Sequence, residues 1–169
     1  TNTSLDISTL TAGTSSRGFQ IVGEGTAGID IAGVGDVNGD GLEDVLLQGN
    51  QGFVGAGNTT LKGAAWVVFG KTDSSRVHVS AIENGVGGFA IGAGLDTTNF
   101  GAYAVSSAGD FNGDGLTDVI VTHANAGFVN NGVTNLAAGA AYIVFGKTGT
   151  GTVQVTSLDG SEGFRIVNP

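Results

Sequence analysis

Two loops of one design limit this chain most. Asp36-Val37-Asn38-Gly39-Asp40-Gly41-Leu42-Glu43-Asp44 returns 74 residues later as Asp110-Phe111-Asn112-Gly113-Asp114-Gly115-Leu116-Thr117-Asp118. Oxygen-bearing side chains stand at positions one, three, five and nine of both copies, and Gly stands at four and six. Side chains on every second residue converge on a point only where the backbone curls around it. Gly at position six permits that turn and frees the position-seven carbonyl to face inward. This is the first half of a calcium loop of the EF-hand type, with an Asp at position nine replacing the usual Glu at position twelve. The expected ligands are Asp36, Asn38, Asp40, the Leu42 carbonyl and Asp44 in one loop. In the other they are Asp110, Asn112, Asp114, the Leu116 carbonyl and Asp118. An all-oxygen set favours Ca²⁺ over zinc or copper, and two sites are expected. Asp-Gly and Asn-Gly pairs also make ordinary turns. Two copies in register, each leading into an apolar strand, favour the metal.

The chain's 169 residues suffice for one domain with a core. Its net charge of −9 would be repelled by a phosphate backbone, which argues against nucleic acid as a partner. Cysteine is absent, so disulfides and thiolate metal sites are excluded. No apolar run reaches membrane-spanning length, so no insertion is expected, and residues 1–8 do not read as a signal peptide. Calcium loops of low affinity are useful where calcium is millimolar, and an extracellular or cell-surface location is expected on that ground.

Internal repetition sets the architecture. A half-unit occurs three times. Leu5-Asp6-Ile7-Ser8-Thr9-Leu10 leads to Gly18-Phe19-Gln20-Ile21-Val22. Val77-His78-Val79-Ser80-Ala81-Ile82 leads to Gly88-Phe89-Ala90-Ile91. Val153-Gln154-Val155-Thr156-Ser157-Leu158 leads to Gly163-Phe164-Arg165-Ile166-Val167. A second half-unit occurs twice, each time running through a calcium loop. It closes on Trp66-Val67-Val68-Phe69-Gly70-Lys71 in one copy and on Tyr142-Ile143-Val144-Phe145-Gly146-Lys147 in the other. Alternating segments predict half-buried strands, and continuous runs such as Val45-Leu46-Leu47 predict strands covered on both faces. No segment has helical spacing. The expectation is an all-β domain of repeat units 5–71 and 77–147 with a partial third unit at 153–169, each full unit holding about four antiparallel strands. Such units suggest propeller blades, which bury their faces only by stacking.

These residues resemble the FG-GAP repeats of integrin α subunits and of large bacterial secreted proteins. The likeness rests on the two Asp-x-Asn-x-Asp-Gly-x-x-Asp loops and the Gly35-Asp36 and Gly109-Asp110 lead-ins. It also rests on Gly-Ala-Ala-Tyr-Ile-Val-Phe-Gly-Lys at 139–147, and on Phe100-Gly101. Thr26-Ala27 stands where the second unit has Phe100-Gly101, and Gln48-Gly49-Asn50 and Thr122-His123-Ala124 replace the "GAP" element. The resemblance implies β-propeller blades with calcium on their loops, held by the ligands named above. Propellers close with about four to eight blades, and two full units plus a half-unit make an incomplete one. The chain is therefore expected to associate, as a ring, as a head-to-tail stack or with neighbouring blades of a larger chain.

Other features point elsewhere only weakly. His78 and His123 lack a partner at ligand spacing and are read as surface strand or loop residues. Trp66 and Tyr142 hold equivalent places and are read as packing residues. Gly52-Phe53-Val54 and Gly127-Phe128-Val129 sit inside Gly/Asn-rich loops, where they either pack on a neighbouring blade or meet a partner. No nucleophile and base pair can be assigned. The expected role is a non-enzymatic, extracellular, calcium-binding structural or adhesion module that self-associates. The alternative is a glycan- or protein-binding module of a larger secreted protein.

Overall fold

The structure is a computed structural model. It describes residues 18–23, 27–49, 53–55, 59–61, 64–92, 104–123, 128–130, 133–135 and 139–167. Residues 5–10 and the Phe100-Gly101 pair lie outside the described residues.

Strands β1 (Ile21–Val22), β2 (Ala27–Gly35), β3 (Asp44–Gly49), β4 (Phe53–Gly55), β5 (Thr59–Leu61), β6 (Ala64–Val68) and β7 (Val77–His78) precede a short helix, α1 (Val79–Glu83). Then come β8 (Gly88–Gly92), β9 (Ala104–Gly109), β10 (Asp118–His123), β11 (Phe128–Asn130), β12 (Val133–Asn135), β13 (Ala140–Val144), β14 (Val153–Gln154) and β15 (Gly163–Val167). The all-β expectation holds, with two short helical segments added. The five residues of α1 bury Val79 and Ile82, and a 3₁₀ turn at Val155–Ser157 stands at the equivalent place. Five residues give too few turns for a helical period to stand out in sequence. Among the described residues no helix is long and apolar enough to cross a membrane.

Two sheets carry the fold, antiparallel apart from the parallel β14–β8 edge of the first. The first has the order β14-β8-β6-β3-β2 and the second β15-β13-β10-β9. Within each, the Asp-Asn-Asp loop joins the first two strands, β2 to β3 and β9 to β10. The third strand, β6 or β13, is followed by the 77–82 or 153–158 segment. The chain then returns as the fourth strand, β8 or β15, antiparallel to the third. The sheets are thus phased one half-unit later than the sequence repeats, because the Gly-Phe half-unit closes the preceding sheet. The long loops between second and third strands each fold back as a hairpin, β4–β5 and β11–β12.

The first sheet is covered on both faces, as its continuous apolar runs predict. Leu46, Ala65, Val67, Phe89 and Ile91 point to one side. There they share a core with Val105, Val119, Val121, Tyr142 and Val144 of the second sheet. The alternate residues Val45, Leu47, Trp66, Val68 and Ala90 face the other side. These pack with Val77, Val79 and Ile82 and with Phe19 and Ile21. Side chains alternate across a pleated strand, so one run of sequence serves both cores. Trp66 and Tyr142 are buried at 3% and 4% exposure, one in each core, in the packing role expected of them.

Parallel two-residue pairings tie β1 to β7 and β8 to β14, the segments that follow the third strands of the first and second sheets. Ile21 and Val22 pair with Val77 and His78. Ile91 and Gly92 pair with Val153 and Gln154. Gly88 sits at the start of β8 where a Cβ would lie 1.9 Å from the Val67 carbonyl oxygen, and Gly163 repeats this against Ile143 at 2.1 Å. Glycine at these points lets the fourth strand close on the third.

Candidate metal centre

The two loops are built almost atom for atom alike. Asp36 Oδ1 accepts the N–H groups of Gly39 at 2.7 Å and Asp40 at 3.1 Å, and its Oδ2 accepts that of Gly41 at 2.8 Å. Asn38 Oδ1 accepts the Asp40 N–H at 2.9 Å, and its Nδ2 donates to Asp40 Oδ2 at 2.9 Å. Asp40 Oδ1 accepts the Leu42 N–H at 2.8 Å. In the second loop Asp110 accepts from Gly113, Asp114 and Gly115 at 2.8, 3.0 and 3.0 Å. Asn112 and Asp114 repeat the side-chain bond at 2.8 Å, and Leu116 donates to Asp114 at 2.8 Å. Short polar side chains that bind the backbone two to five residues on are what bends the chain here. Gly41 and Gly115 take φ of +86° and +90°, a conformation in which any other residue is strained.

Position nine departs from the other expected ligand positions. Asp44 and Asp118 are buried, at 1% and 0% exposure, while Asp40, Asp110 and Asp114 are exposed. Asp44 Oδ2 accepts the Val37 N–H at 2.8 Å and Oδ1 accepts the Gly70 N–H at 2.7 Å. Asp118 does the same with Phe111 at 2.7 Å and Gly146 at 2.8 Å. Each therefore staples the start of its loop to the Phe-Gly-Lys turn after the sheet's third strand. Sequence reading missed this role, although the repeated Phe-Gly-Lys at 69–71 and 145–147 was its signal. A carboxylate oxygen has two lone pairs, so one N–H bond leaves capacity for a cation.

In the first loop the buried Asp44 feels its surroundings most. Burial raises Asp44 above its ordinary pKa, and repulsion from Asp40 and Asp36 adds to that; the N–H bonds from Gly70 and Val37 oppose it. The donors are carboxylate and amide oxygens, the chemistry that suits a hard cation. Among the described residues no three His, Cys, Asp or Glu side chains are grouped to hold a metal through those groups alone. The expected set draws on Asn38 or Asn112 and on a main-chain carbonyl as well, and the residues present fit Ca²⁺ on donor type.

The loops also touch each other across the sheets. Thr117 N–H donates to the Asp36 carbonyl oxygen at 2.9 Å. A Cβ on Gly39 would lie 2.9 Å from Leu116 Cδ2, and one on Gly146 would lie 2.8 Å from the Val37 carbonyl oxygen. Lys71 lies 5.5 Å from the centre of the Phe19 ring and Lys147 lies 4.9 Å from that of Phe89. Each Phe-Gly-Lys lysine therefore covers the Phe of the preceding Gly-Phe half-unit.

The two histidines differ from each other. His78 is an exposed strand residue as read from sequence, whereas His123 is buried at 4% exposure, opposite Ala140 at the end of β10. His123 shares the parity of Val119 and Val121, and strand alternation carries it inward. A shallow pocket lined by residues that include Val155, Leu158, Asp159 and Phe164 lies beside β15. The Asp159 carboxylate there is engaged by the Ser161 N–H at 3.0 Å and hydroxyl at 2.6 Å.

No protein-family model matches the chain, and no curated protein matches it.

Proposed function

We propose that residues 36–44 and 110–118 each bind one Ca²⁺, and that the protein is a non-enzymatic, extracellular structural or adhesion module that self-associates. In this reading the two sheets are blades of an FG-GAP-like, propeller-type repeat. The observation that carries it is the duplicated loop plan. Two sequences that differ at positions two and eight fold with the same Asp, Asn and Asp bonded to the same backbone positions. Each presents further acidic oxygens beside a buried Asp. A bound cation would replace repulsion among these carboxylates with attraction. The chain's own part is to hold the loops in shape through the Asp44 and Asp118 staples, and to transmit that shape to the neighbouring sheet through Thr117 and Asp36.

Thermal melting in calcium and in chelator tests the reading. Calcium is expected to raise the midpoint by several degrees, and an unchanged midpoint removes the mechanism.

A ligand-binding role would be carried by the hairpins β4–β5 and β11–β12, which stand at equivalent places in the two sheets. Selective retention on an immobilised glycan, lost when both hairpins are shortened, would favour it.

A further inference from the structure

Among the described residues, the second sheet has a partly open face where the first sheet is covered. In the first sheet Leu46, Val67 and Phe89 lie in one cross-strand row, with Ala65 opposite Ile91 in the next. In the second, Ile120, Ile143 and Phe164 form the same row, and Ala141 lies opposite Ile166. Loop position two belongs to this face in both, as Val37 and Phe111. The second sheet covers the first set, and Val37, Phe89 and Ile91 are all 0% exposed. In the second set Phe111 is 59% and Ile166 48% exposed, Ile120 and Phe164 are half-buried, and Ile143 is buried. Large apolar side chains exposed on one sheet face, as Phe111 and Ile166 are, suit an interaction site.

The molecule also shows what such a face fits. The leading side of the second sheet is covered by a whole sheet. The leading side of the first sheet, with Val45, Leu47, Trp66 and Val68, is met by Phe19 and Ile21. Those residues belong to Gly18-Phe19-Gln20-Ile21-Val22, which differs from Gly163-Phe164-Arg165-Ile166-Val167 at one position. Residues 18–22 thus fill a place whose counterpart within the chain is filled by the fourth strand of a complete sheet. The two described lysines lie over Phe19 and Phe89, the first two copies of this Phe, and neither lies over Phe164.

We propose that a second copy of this chain docks on the open face by strand exchange. β15 of one copy takes the place that residues 18–22 hold on the first sheet of the next. This rests on the self-association proposed above and names its surface and register. Ile166 and Val167 of one copy pair in parallel with Val77 and His78 of the next, as Ile91 and Gly92 pair with Val153 and Gln154 within the chain. Lys71 of the next copy moves from its own Phe19 to the incoming Phe164. The exchange keeps the contacts of the displaced strand, because Gly, Phe, Ile and Val recur in it. Ile166 replaces the displaced Ile21, and the added burial of Phe111 and Ile120 supplies a net apolar gain. Such a contact is heterologous, joining a trailing face to a leading face, and repeats as a ring or a fibre.

The chain has no cysteine, so engineered pairs report cleanly. A His78→Cys chain mixed with a Val167→Cys chain, in calcium and mild oxidant, is expected to give a disulfide-linked dimer absent from either variant alone. Paired parallel strands bring Cα atoms within disulfide reach. Ile166→Asp, at an exposed position, is expected to abolish association while leaving the calcium-dependent melt in place. If light scattering shows association but the mixture forms no more linked dimer than the single variants, this register is overturned and self-association by another surface stands. If the unsubstituted chain is a strict monomer in calcium at every concentration, both fall.

Discussion

The Thr117 N–H bonds the main-chain carbonyl oxygen of Asp36 at 2.9 Å, joining position eight of one loop to position one of the other. Asp36 also gathers three N–H groups of its own loop through its carboxylate. Any change in how the first loop is held therefore reaches the second through one peptide unit.

The two sites should consequently be coupled. Asp40→Ala, which removes a proposed ligand from the first loop only, is expected to weaken calcium binding at the second loop by about five-fold, a modest coupling free energy. Calorimetric titration of the variant measures it. An unchanged affinity at the second loop would show that the Thr117 contact transmits nothing.

Asp44 should matter with or without metal. Asp44→Ala strands the buried N–H of Val37 and the half-buried N–H of Gly70, and unpaired buried donors cost about 1–3 kcal/mol each. A loss of about 3 kcal/mol in chelator is expected by denaturant unfolding. Asp40→Ala, at an exposed position, should lose less than about 1 kcal/mol under the same conditions. Equal losses would contradict the division between staple and ligand.

Gly88→Ala tests the closure of the sheet. The added Cβ would meet the Val67 carbonyl oxygen at 1.9 Å, and a rigid backbone neighbour can yield only if β8 moves. β8 feeds both cores through Phe89, Ile91 and Ala90. A loss of about 3 kcal/mol is expected, calcium present or not, and a melt unchanged from that of the parent would place β8 elsewhere.

The strands and their two-sided burial were legible because alternation and apolar runs are local signals. Val45-Leu46-Leu47 and Trp66-Val67-Val68 fed two cores as read. The loops were legible because an Asp-Asn-Asp-Gly spacing dictates a curl wherever it occurs. What was not legible depended on pairing at long range. That the 77–82 segment returns the chain to its own sheet as β8, and pairs in parallel with β1, follows from contacts that no window of sequence contains. The burial of His123 was missed for a related reason, since parity within β10 became known only once the strand had a register. α1 was too short to show a period.

Acidity should separate the bound and free states. The Asp44 carboxyl sits above its ordinary value of 3.8, first through burial and then through Asp40 and Asp36. A carboxyl raised in the folded state favours folding below its unfolded value, and that contribution is lost as pH rises through the folded value. In chelator, charging of Asp44 therefore weighs against the fold at neutral pH and is relieved on acidification. Calcium acts in the opposite sense, because protons compete with it for the same oxygens. The gain in melting temperature on adding calcium should shrink as pH falls toward the carboxylate range, as scanning calorimetry would show; a gain that grew on acidification would contradict the ligand set.

The central claim is that two matching sets of oxygens take up calcium. Titration calorimetry of the intact chain with Ca²⁺ at neutral pH measures it most directly. The account predicts saturable heat with two ions per chain, one ion in Asp40→Ala and none when Asp114→Ala is added to it. A flat titration of the folded, metal-stripped protein would contradict it.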